Sequence, residues 1–184
     1  MRTVVLGDDH PELTEWIARR RAFGQDLLDE VWDGEYHVAP ASNIWHSTVE
    51  VELARVLGRL ASRRGYITVG QFNLGDLGNF RVPDLGVVRS LAGPAAWVAT
   101  AAMVVEIVSP HDESWLKFDH YAAHDVDEVL IADPAISALH LFILAGDGYE
   151  PAERSDVLEA ALGDIHAEIH WPGAGAAAGT APRS

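Results

Sequence analysis

Two carboxylates stand where the sequence otherwise predicts apolar, buried strands. Glu106 lies inside the run Ala102-Met-Val-Val-Glu-Ile-Val-Ser109, and Asp84 lies in a second apolar stretch 22 residues upstream. A strand buried on both faces is almost continuously hydrophobic, so a charge there is costly unless something compensates it. Two such residues predict a shared cation. Because the chain has no cysteine, two oxygen ligands favour Mg²⁺ or Mn²⁺ over Zn²⁺.

Each carboxylate also has a structural interpretation. An acid at a strand end can pair with an arginine, and Arg81 and Arg89 are close to Asp84 in the sequence. Glu106 is harder to explain in this way, because three apolar residues precede it and Ile107 and Val108 follow it. Burying it alone would cost several kcal/mol, so it needs an ion-pair partner or a metal.

A helix predicted over residues 44–64 places two further candidates near this pair. His46 and Glu50 are four residues apart and share the arc of the apolar stripe, whereas Glu52 faces Arg55 and Arg59 as a solvated pair member. We expect His46 and Glu50 to point towards Asp84 and Glu106. The alternative is a buried His46–Glu50 hydrogen-bonded pair without a function.

A second helix, predicted over residues 113–124, carries Lys117, with Tyr121 one turn later. Lys117 falls just outside the apolar arc of this helix. The pattern alone therefore predicts an ordinary surface lysine.

The remaining elements are those of one α/β domain with a mixed β-sheet flanked by helices. A first helix over residues 9–23 is followed by a β-hairpin around Asp33-Gly34, a dipeptide that favours tight hairpin turns. The predicted strands are Tyr66–Phe72, Val82–Val88, Met103–Val108, Glu128–Asp133 and Ala138–Leu144, and an amphipathic segment covers 155–170. We expect a flexible N-terminus over 1–9, one domain over 10–170 and a disordered low-complexity tail over 171–184.

Composition limits the classes of function. The chain has 184 residues and a net charge of −15, from 13 basic and 28 acidic residues, which counts against tight binding of duplex DNA by charge alone. No apolar segment is long enough for a signal peptide or a membrane span, so the sequence predicts a cytoplasmic protein without a membrane partner. The hairpin around Trp32 and Tyr36 and the segment 138–144 could form an exposed edge or a homodimer contact, or belong to the core.

The motifs together resemble the Uma-two family of restriction-endonuclease-like proteins, within the PD-(D/E)xK nuclease superfamily. The resemblance covers about residues 12–145. It rests on Val82-Pro-Asp84, Val104-Val-Glu-Ile-Val-Ser-Pro110, Lys117, Tyr121 and Val126-Asp-Glu-Val-Leu-Ile-Ala-Asp-Pro134, with the Asp29–Glu35 hairpin and Trp45-His46 upstream.

The resemblance implies a restriction-endonuclease-like αβββαβ core and a Mg²⁺-dependent phosphodiesterase site acting on DNA. Asp84, Glu106 and the main-chain carbonyl of Ile107 would hold the metal, and Glu50 matches the acid that many superfamily members carry on the first core helix. The superfamily pattern has a lysine two residues after the glutamate, where this chain has Val108. Lys117 on the following helix is then the candidate lysine.

Two other functions remain open. The acidic charge and the missing lysine at position 108 are also compatible with a catalytically degenerate nuclease fold that acts in binding or assembly. A hydrolase of small phosphoesters is less favoured, because the chain has no glycine-rich phosphate-binding loop.

Overall fold

The structure is a computed structural model that describes residues 4–6, 11–39, 42–91, 93, 97–109 and 113–173. Within these residues the helices are α1 (Pro11–Ala22), α2 (Ile44–Arg63), α3 (Phe118–Ala123) and α4 (Leu162–Ala167). The strands are β1 (Val4–Leu6), β2 (Glu30–Trp32), β3 (Glu35–Val38), β4 (Ile67–Val69), β5 (Asn73–Asp76), β6 (Asn79–Arg81), β7 (Leu85–Val88), β8 (Trp97–Val98), β9 (Met103–Ile107), β10 (Glu128–Asp133), β11 (Ala138–Ala145), β12 (Gly148–Ala152), β13 (Arg154–Ser155) and β14 (Ala160–Ala161).

The main sheet has the order β12-β11-β10-β9-β7-β4 and is mixed. Strands β9 and β10 are parallel, with α3 in the connection between them, whereas the other neighbours pair antiparallel. The predicted αβββαβ core is present. In chain order its elements are α2, β4, β7, β9, α3 and β10. The α/β fold class is therefore confirmed.

Helix α2 packs on one face of this sheet. Asn43 caps the helix by accepting hydrogen bonds from the main-chain N–H groups of Trp45 and His46. The apolar stripe of α2 joins β7 and β9 in one buried cluster. Its members from α2 and β9 are Val49, Leu53, Val56, Leu57, Ala61, Met103, Val105 and Ile107. Because side chains alternate along a strand, Val104 and Glu106 face the opposite side.

A second sheet, the hairpin sheet, has the order β1-β3-β2-β6-β5-β8. The β2–β3 turn places Asp33 and Gly34 at φ values of 50° and 90°, the left-handed region that this turn requires. The hairpin was predicted, but β5, β6 and β8 were not. The β5 and β6 segments are short and contain Asn, Gly or Asp, which have low strand propensity, and β8 is only the dipeptide Trp97-Val98, so pairing partners rather than local sequence decide their structure.

Several predicted bounds need correction. The helix predicted from residue 113 begins as a 3₁₀ turn over Ser114–Lys117, and α3 follows. The segment predicted as amphipathic over 155–170 forms the β13–β14 hairpin before α4. Residues 4–6, in the segment expected to be flexible, form β1 and pair with β3. Segment 110–112, which precedes the helix predicted from residue 113, and segment 174–184, in the expected tail, lie outside the described residues.

Neither of the two segments considered for a dimer contact lies at a sheet edge. Strands β2 and β3 lie between β6 and β1, and β11 lies between β10 and β12. The homodimer therefore stays a prediction without an exposed edge to support it. In the part of the chain that the structure describes, no helix combines the length and apolar character needed to cross a membrane.

Candidate active site

Asp84 lies immediately before β7, and its main-chain N–H donates to the carbonyl oxygen of Val105 at 3.1 Å. One carboxylate oxygen accepts a hydrogen bond of 2.7 Å from the main-chain N–H of Ile107, and the other lies 3.1 Å from His46 Nε2. Asp84 is thus held in place by hydrogen bonds to β9 and by His46 of α2. Among the described residues, no arginine contacts this carboxylate.

The arginine pairing considered for Asp84 is wrong. Arg81 turns to the hairpin sheet, where it donates to the carbonyl oxygen of Val31, and Arg89 pairs with Asp127. Both arginines find partners on other elements, which sequence proximity could not reveal.

Glu106 is 3% exposed, and its partners come from the segment 114–121. Lys117 Nζ lies 3.0 Å from each carboxylate oxygen, Tyr121 Oη donates to Oε1, and Ser114 Oγ lies 3.5 Å from Oε2. The expectation that this buried charge needs a compensating partner is confirmed, and the protein itself supplies a cation.

The pattern-based prediction of a surface position for Lys117 is wrong, because the residue is 9% exposed. The 3₁₀ turn over Ser114–Lys117 advances about 120° per residue instead of 100°, which displaces Lys117 from its position on an α-helical wheel. Two carboxylates then hold the side chain inside. Its place beside Glu106 agrees with the resemblance, which made Lys117 the candidate lysine of the site.

Glu30 on β2 is a site residue that sequence reasoning missed. Its Oε1 lies 2.8 Å from Lys117 Nζ, so the ammonium group lies between Glu30 and Glu106. Lys117 is the only lysine in the chain, although the chain has 13 basic residues, but this does not identify its carboxylate partners. Nothing in the hairpin sequence itself distinguishes Glu30 from Glu35.

His46 and Glu50 do not form the self-satisfying pair considered above. His46 contacts Asp84 and lies 3.4 Å from Ser109 Oγ, whereas Glu50 accepts a hydrogen bond of 2.8 Å from Gln71. Burial disfavours the protonated His46, but the hydrogen bond and charge of Asp84 outweigh it and raise the pKa of His46. Burial, and then the charge of Asp84, raise the pKa of Glu50.

Five of the predicted residues line one cleft of about 130 Å³: Asp84, Glu106, Ile107, Lys117 and His46. Tyr121 is fully buried behind Glu106, and Glu50 lies beside Asp84 without lining the cleft. Glu30, Trp32 and His37 of the hairpin sheet form part of the opposite wall. Residues of both sheets therefore build the cleft.

The cleft carries more negative than positive charge. Glu30, Asp84, Glu106 and Glu113 line it, against one lysine and no arginine among the described lining residues. Burial, with the charges of Asp84 and Glu30, raises the pKa of Glu106 above its ordinary value, although Lys117 acts in the opposite direction. Burial alone would lower the pKa of Lys117, but Glu106 and Glu30 raise it well above its ordinary value.

These residues fit a hard divalent cation by donor chemistry and charge. Within the described residues, no group of three or more His, Asp or Glu side chains is arranged to hold a metal. Mg²⁺ does not need such a group, because one or two carboxylates with water and phosphate oxygens complete many of its sites. Asp84 and Glu106 provide two carboxylates at the end of β9.

The fold is similar to that of a solved structure. A structure described as a putative nuclease belonging to DUF820, from Anabaena variabilis, matches with a TM-score of 0.62 and 15% sequence identity. The match covers 77% of this chain and 91% of the other, and shows a shared fold. The comparison with curated proteins gives no match.

The model of the Uma2 family, described as "Putative restriction endonuclease", matches residues 12–169. The match includes α1 from Glu12 onward, the main sheet, the hairpin sheet except β1, and every candidate site residue named above. It extends beyond the resemblance seen in the sequence, which ended near residue 145. On this match over most of its length, the chain belongs to the Uma2 family.

Proposed function

We propose that this protein is a divalent-cation-dependent nuclease that hydrolyses phosphodiester bonds in DNA. The observation that carries the proposal is the convergence of Asp84, Glu106 and Lys117 on one cleft, although they come from three separate segments of the chain. Membership of a family described as restriction endonucleases, and a fold shared with a nuclease-described protein, support the nuclease class.

Asp84, Glu106 and the main-chain carbonyl of Ile107 are the proposed cation ligands, with Mg²⁺ or Mn²⁺ as the ion. When bound, the ion would supply positive charge that polarises the phosphate and makes water a better nucleophile. The ammonium group of Lys117 would stabilise negative charge that develops on the phosphate, or orient the attacking water. Its two carboxylate partners keep it protonated at neutral pH.

The neighbouring residues have supporting roles in this proposal. His46 and the main-chain N–H of Ile107 fix the orientation of Asp84, and Tyr121 fixes that of Glu106. Glu50 adds negative charge close to Asp84, which favours a cation there. The residues that would contact the ion are thus oriented before it binds, which lowers the cost of binding.

A second candidate is a nuclease fold without catalysis, which acts in binding or assembly. It is favoured by one observation: each carboxylate oxygen of Asp84 and Glu106 already has a partner within the protein. A site closed in this way could be stable without any cation. The two candidates differ in whether a divalent cation binds at Glu106.

The test is cleavage of plasmid and single-stranded DNA with Mg²⁺ or Mn²⁺, compared with EDTA. Glu106→Gln and Asp84→Asn keep the size of each side chain and remove its charge, so both should abolish cleavage. Glu52→Gln is a matched control, because Glu52 pairs with Arg55 outside the cleft and should be dispensable. Cleavage that survives both site substitutions would overturn the proposal.

Calorimetric titration with Mg²⁺ separates the two candidates. A nuclease should bind the ion in a way that depends on Glu106. If the wild-type protein shows no such binding and no cleavage, the non-catalytic module is the better description.

A further inference from the structure

The only lysine of the chain is held by two carboxylates from two sheets. Lys117 Nζ lies 2.8 Å from Glu30 Oε1 and 3.0 Å from each oxygen of Glu106. Glu106 is on β9 of the main sheet, and Glu30 is on β2 of the hairpin sheet. The contact between lysine and Glu30 therefore bridges the cleft.

Glu30 is itself held firmly. Its Oε1 accepts a hydrogen bond of 2.7 Å from the main-chain N–H of Val82, and its Oε2 accepts one of 2.6 Å from Trp32 Nε1. The Trp32 ring is stacked on His37 at 4.2 Å, and the Arg81 guanidinium lies 4.3 Å from the centre of the same ring. A buried carboxylate with two neutral donors and one ammonium group is a rigid anchor.

Glu106 cannot keep both of its contacts with Lys117 when it also binds a divalent cation. Both of its oxygens contact the ammonium group, so a cation that takes these oxygens competes with Lys117. If Glu106 were the only partner of Lys117, binding of a cation to Glu106 would leave the ammonium group buried and unpaired. The ammonium group would then move away or lose its proton. With Glu30, the ammonium group retains a carboxylate on its other side.

We propose that Glu30 is the positioning residue for Lys117: it holds the ammonium group at the cleft while Glu106 binds the cation. The proposal rests on the proposed nuclease function and adds a residue to it. A lysine on the strand, two residues after Glu106, would be positioned by the strand itself. In this chain Val108 occupies that position, and Lys117 lies on a short helical segment instead. Glu30 therefore provides the second contact that positions the lysine.

Because Lys117 is the only lysine, ¹⁵N-lysine labelling gives a single side-chain ammonium signal. Exchange with water broadens such signals unless the group is buried and hydrogen-bonded. In the wild-type protein the signal should remain visible both without a divalent ion and with saturating Mg²⁺. In Glu30→Gln it should be visible without Mg²⁺ and disappear when Mg²⁺ is added.

Cleavage rates give the second readout. A displacement of about 1 Å in a catalytic group can reduce a rate about 100-fold, so Glu30→Gln should lose about that factor. When Lys117 is already replaced by Met, adding Glu30→Gln should change the rate by less than about twofold. Glu30 then has no ammonium group to hold in place. If Glu30 had only a structural role, the losses in cleavage rate caused by the two substitutions would instead multiply.

Two variants control for folding. Glu35→Gln makes the same change at an exposed position of the same hairpin and should match the wild-type protein in both readouts. Glu30→Asp keeps the charge but shortens the side chain, and takes the place of Glu30→Gln if the latter does not fold. It should also lose the ammonium signal on adding Mg²⁺.

The outcomes separate this inference from the proposed function. If the wild-type protein neither binds Mg²⁺ nor cleaves DNA, both are overturned. If it does both, and the ammonium signal of the Glu30 variants survives Mg²⁺ as in the wild-type protein, the role of Glu30 is overturned and the nuclease stands. Multiplying rate losses in the double variant would likewise reject positioning.

Discussion

Lys117 shows how one side chain can depend on its surroundings for its charge state. It lies between Glu30 and Glu106 at distances of 2.8 and 3.0 Å and is almost fully buried. The two carboxylates and the ammonium group stabilise one another, because an unpaired buried charge is strongly unfavourable. Stability and the proposed chemistry therefore meet in the same three residues.

Lys117→Met tests this dependence. Without a divalent ion the variant should lose about 3–5 kcal/mol of unfolding free energy, because two buried carboxylates lose their cation. Mg²⁺ should raise its melting temperature more than that of the wild-type protein, since the ion then replaces the missing charge. Thermal unfolding with and without Mg²⁺ measures both effects.

The matched control is Arg89→Met. Arg89 pairs with Asp127 at the surface, and such exposed pairs contribute only about 0–1 kcal/mol. A Lys117→Met variant as stable as Arg89→Met in the absence of Mg²⁺ would show that the buried charges are not coupled as described.

Among the elements, α3 connects the two sheets. Its His120 is 7% exposed and donates through Nε2 to the carbonyl oxygen of Leu74 on β5, whereas its Tyr121 bonds to Glu106 on β9. One short helix thus fixes a hairpin-sheet strand and a main-sheet carboxylate together. Its stability should depend on keeping His120 neutral.

Lowering the pH should therefore destabilise the fold through His120. Burial, with the nearby charges of Arg81 and His124, lowers its pKa from 6.5 to about 4 in the folded chain. Above pH 6.5 both states are neutral and this stability is fully present; between 6.5 and 4 only the unfolded state takes up the proton, so stability falls. At pH 4.5 the loss should be about 3 kcal/mol.

Urea denaturation of the wild-type protein and of His120→Asn at pH 7 and 4.5 measures this effect. The stability difference between the two proteins should shrink by about the same 3 kcal/mol at the lower pH. A difference that does not change with pH would exclude His120 as the cause.

The same substitution at two glycines should have opposite effects, because the two elements differ in packing. At Gly58 in α2 an added Cβ meets nothing within 4 Å, and Gly58→Ala should stabilise the protein by about 0.5–1 kcal/mol. At Gly86 in β7 the Cβ would lie 2.7 Å from Phe72 Cζ, so Gly86→Ala should cost about 1–3 kcal/mol.

Denaturant titration of both variants at one pH gives the two values. The pair serves as its own control, since each variant adds one methyl group. Equal effects at the two positions would contradict the packing described for β7 and Phe72.

At the scale of the whole molecule, the charge distribution is unusual for a protein proposed to act on DNA. The net charge is −15, and among the described lining residues of the cleft Lys117 is the only lysine or arginine. Phosphate contacts by basic side chains normally provide much of the affinity for DNA. This protein would have to depend on a divalent ion and on few direct contacts.

Salt dependence measures how many such contacts exist. With one basic side chain at the cleft, log(kcat/KM) for an oligonucleotide should fall with log[NaCl] with a slope of about −1 at fixed Mg²⁺. Oligonucleotide cleavage at several NaCl concentrations gives the slope. A slope of about −4 or steeper would reveal a basic surface outside the cleft.

Hydrophobic periodicity and turn residues predicted most of the main sheet, α2 and the β2–β3 hairpin, because these elements are long or carry strong local signals. The strands β5, β6 and β8 and the 3₁₀ turn were missed, since each is only two to four residues long and only their neighbours hold them in place. The bounds of α4 failed for the same reason.

The sequence by itself determined that Asp84 and Glu106 are acids in apolar segments that need compensation, because charges in apolar strands are costly wherever the chain folds. It could not determine what compensates them. Only the tertiary structure brought Lys117 to Glu106 and His46 to Asp84, and only the pairing of β2 with β6 placed Glu30 beside the same lysine. Those contacts join residues 11 to 87 positions apart, and local sequence patterns carry no information at that range.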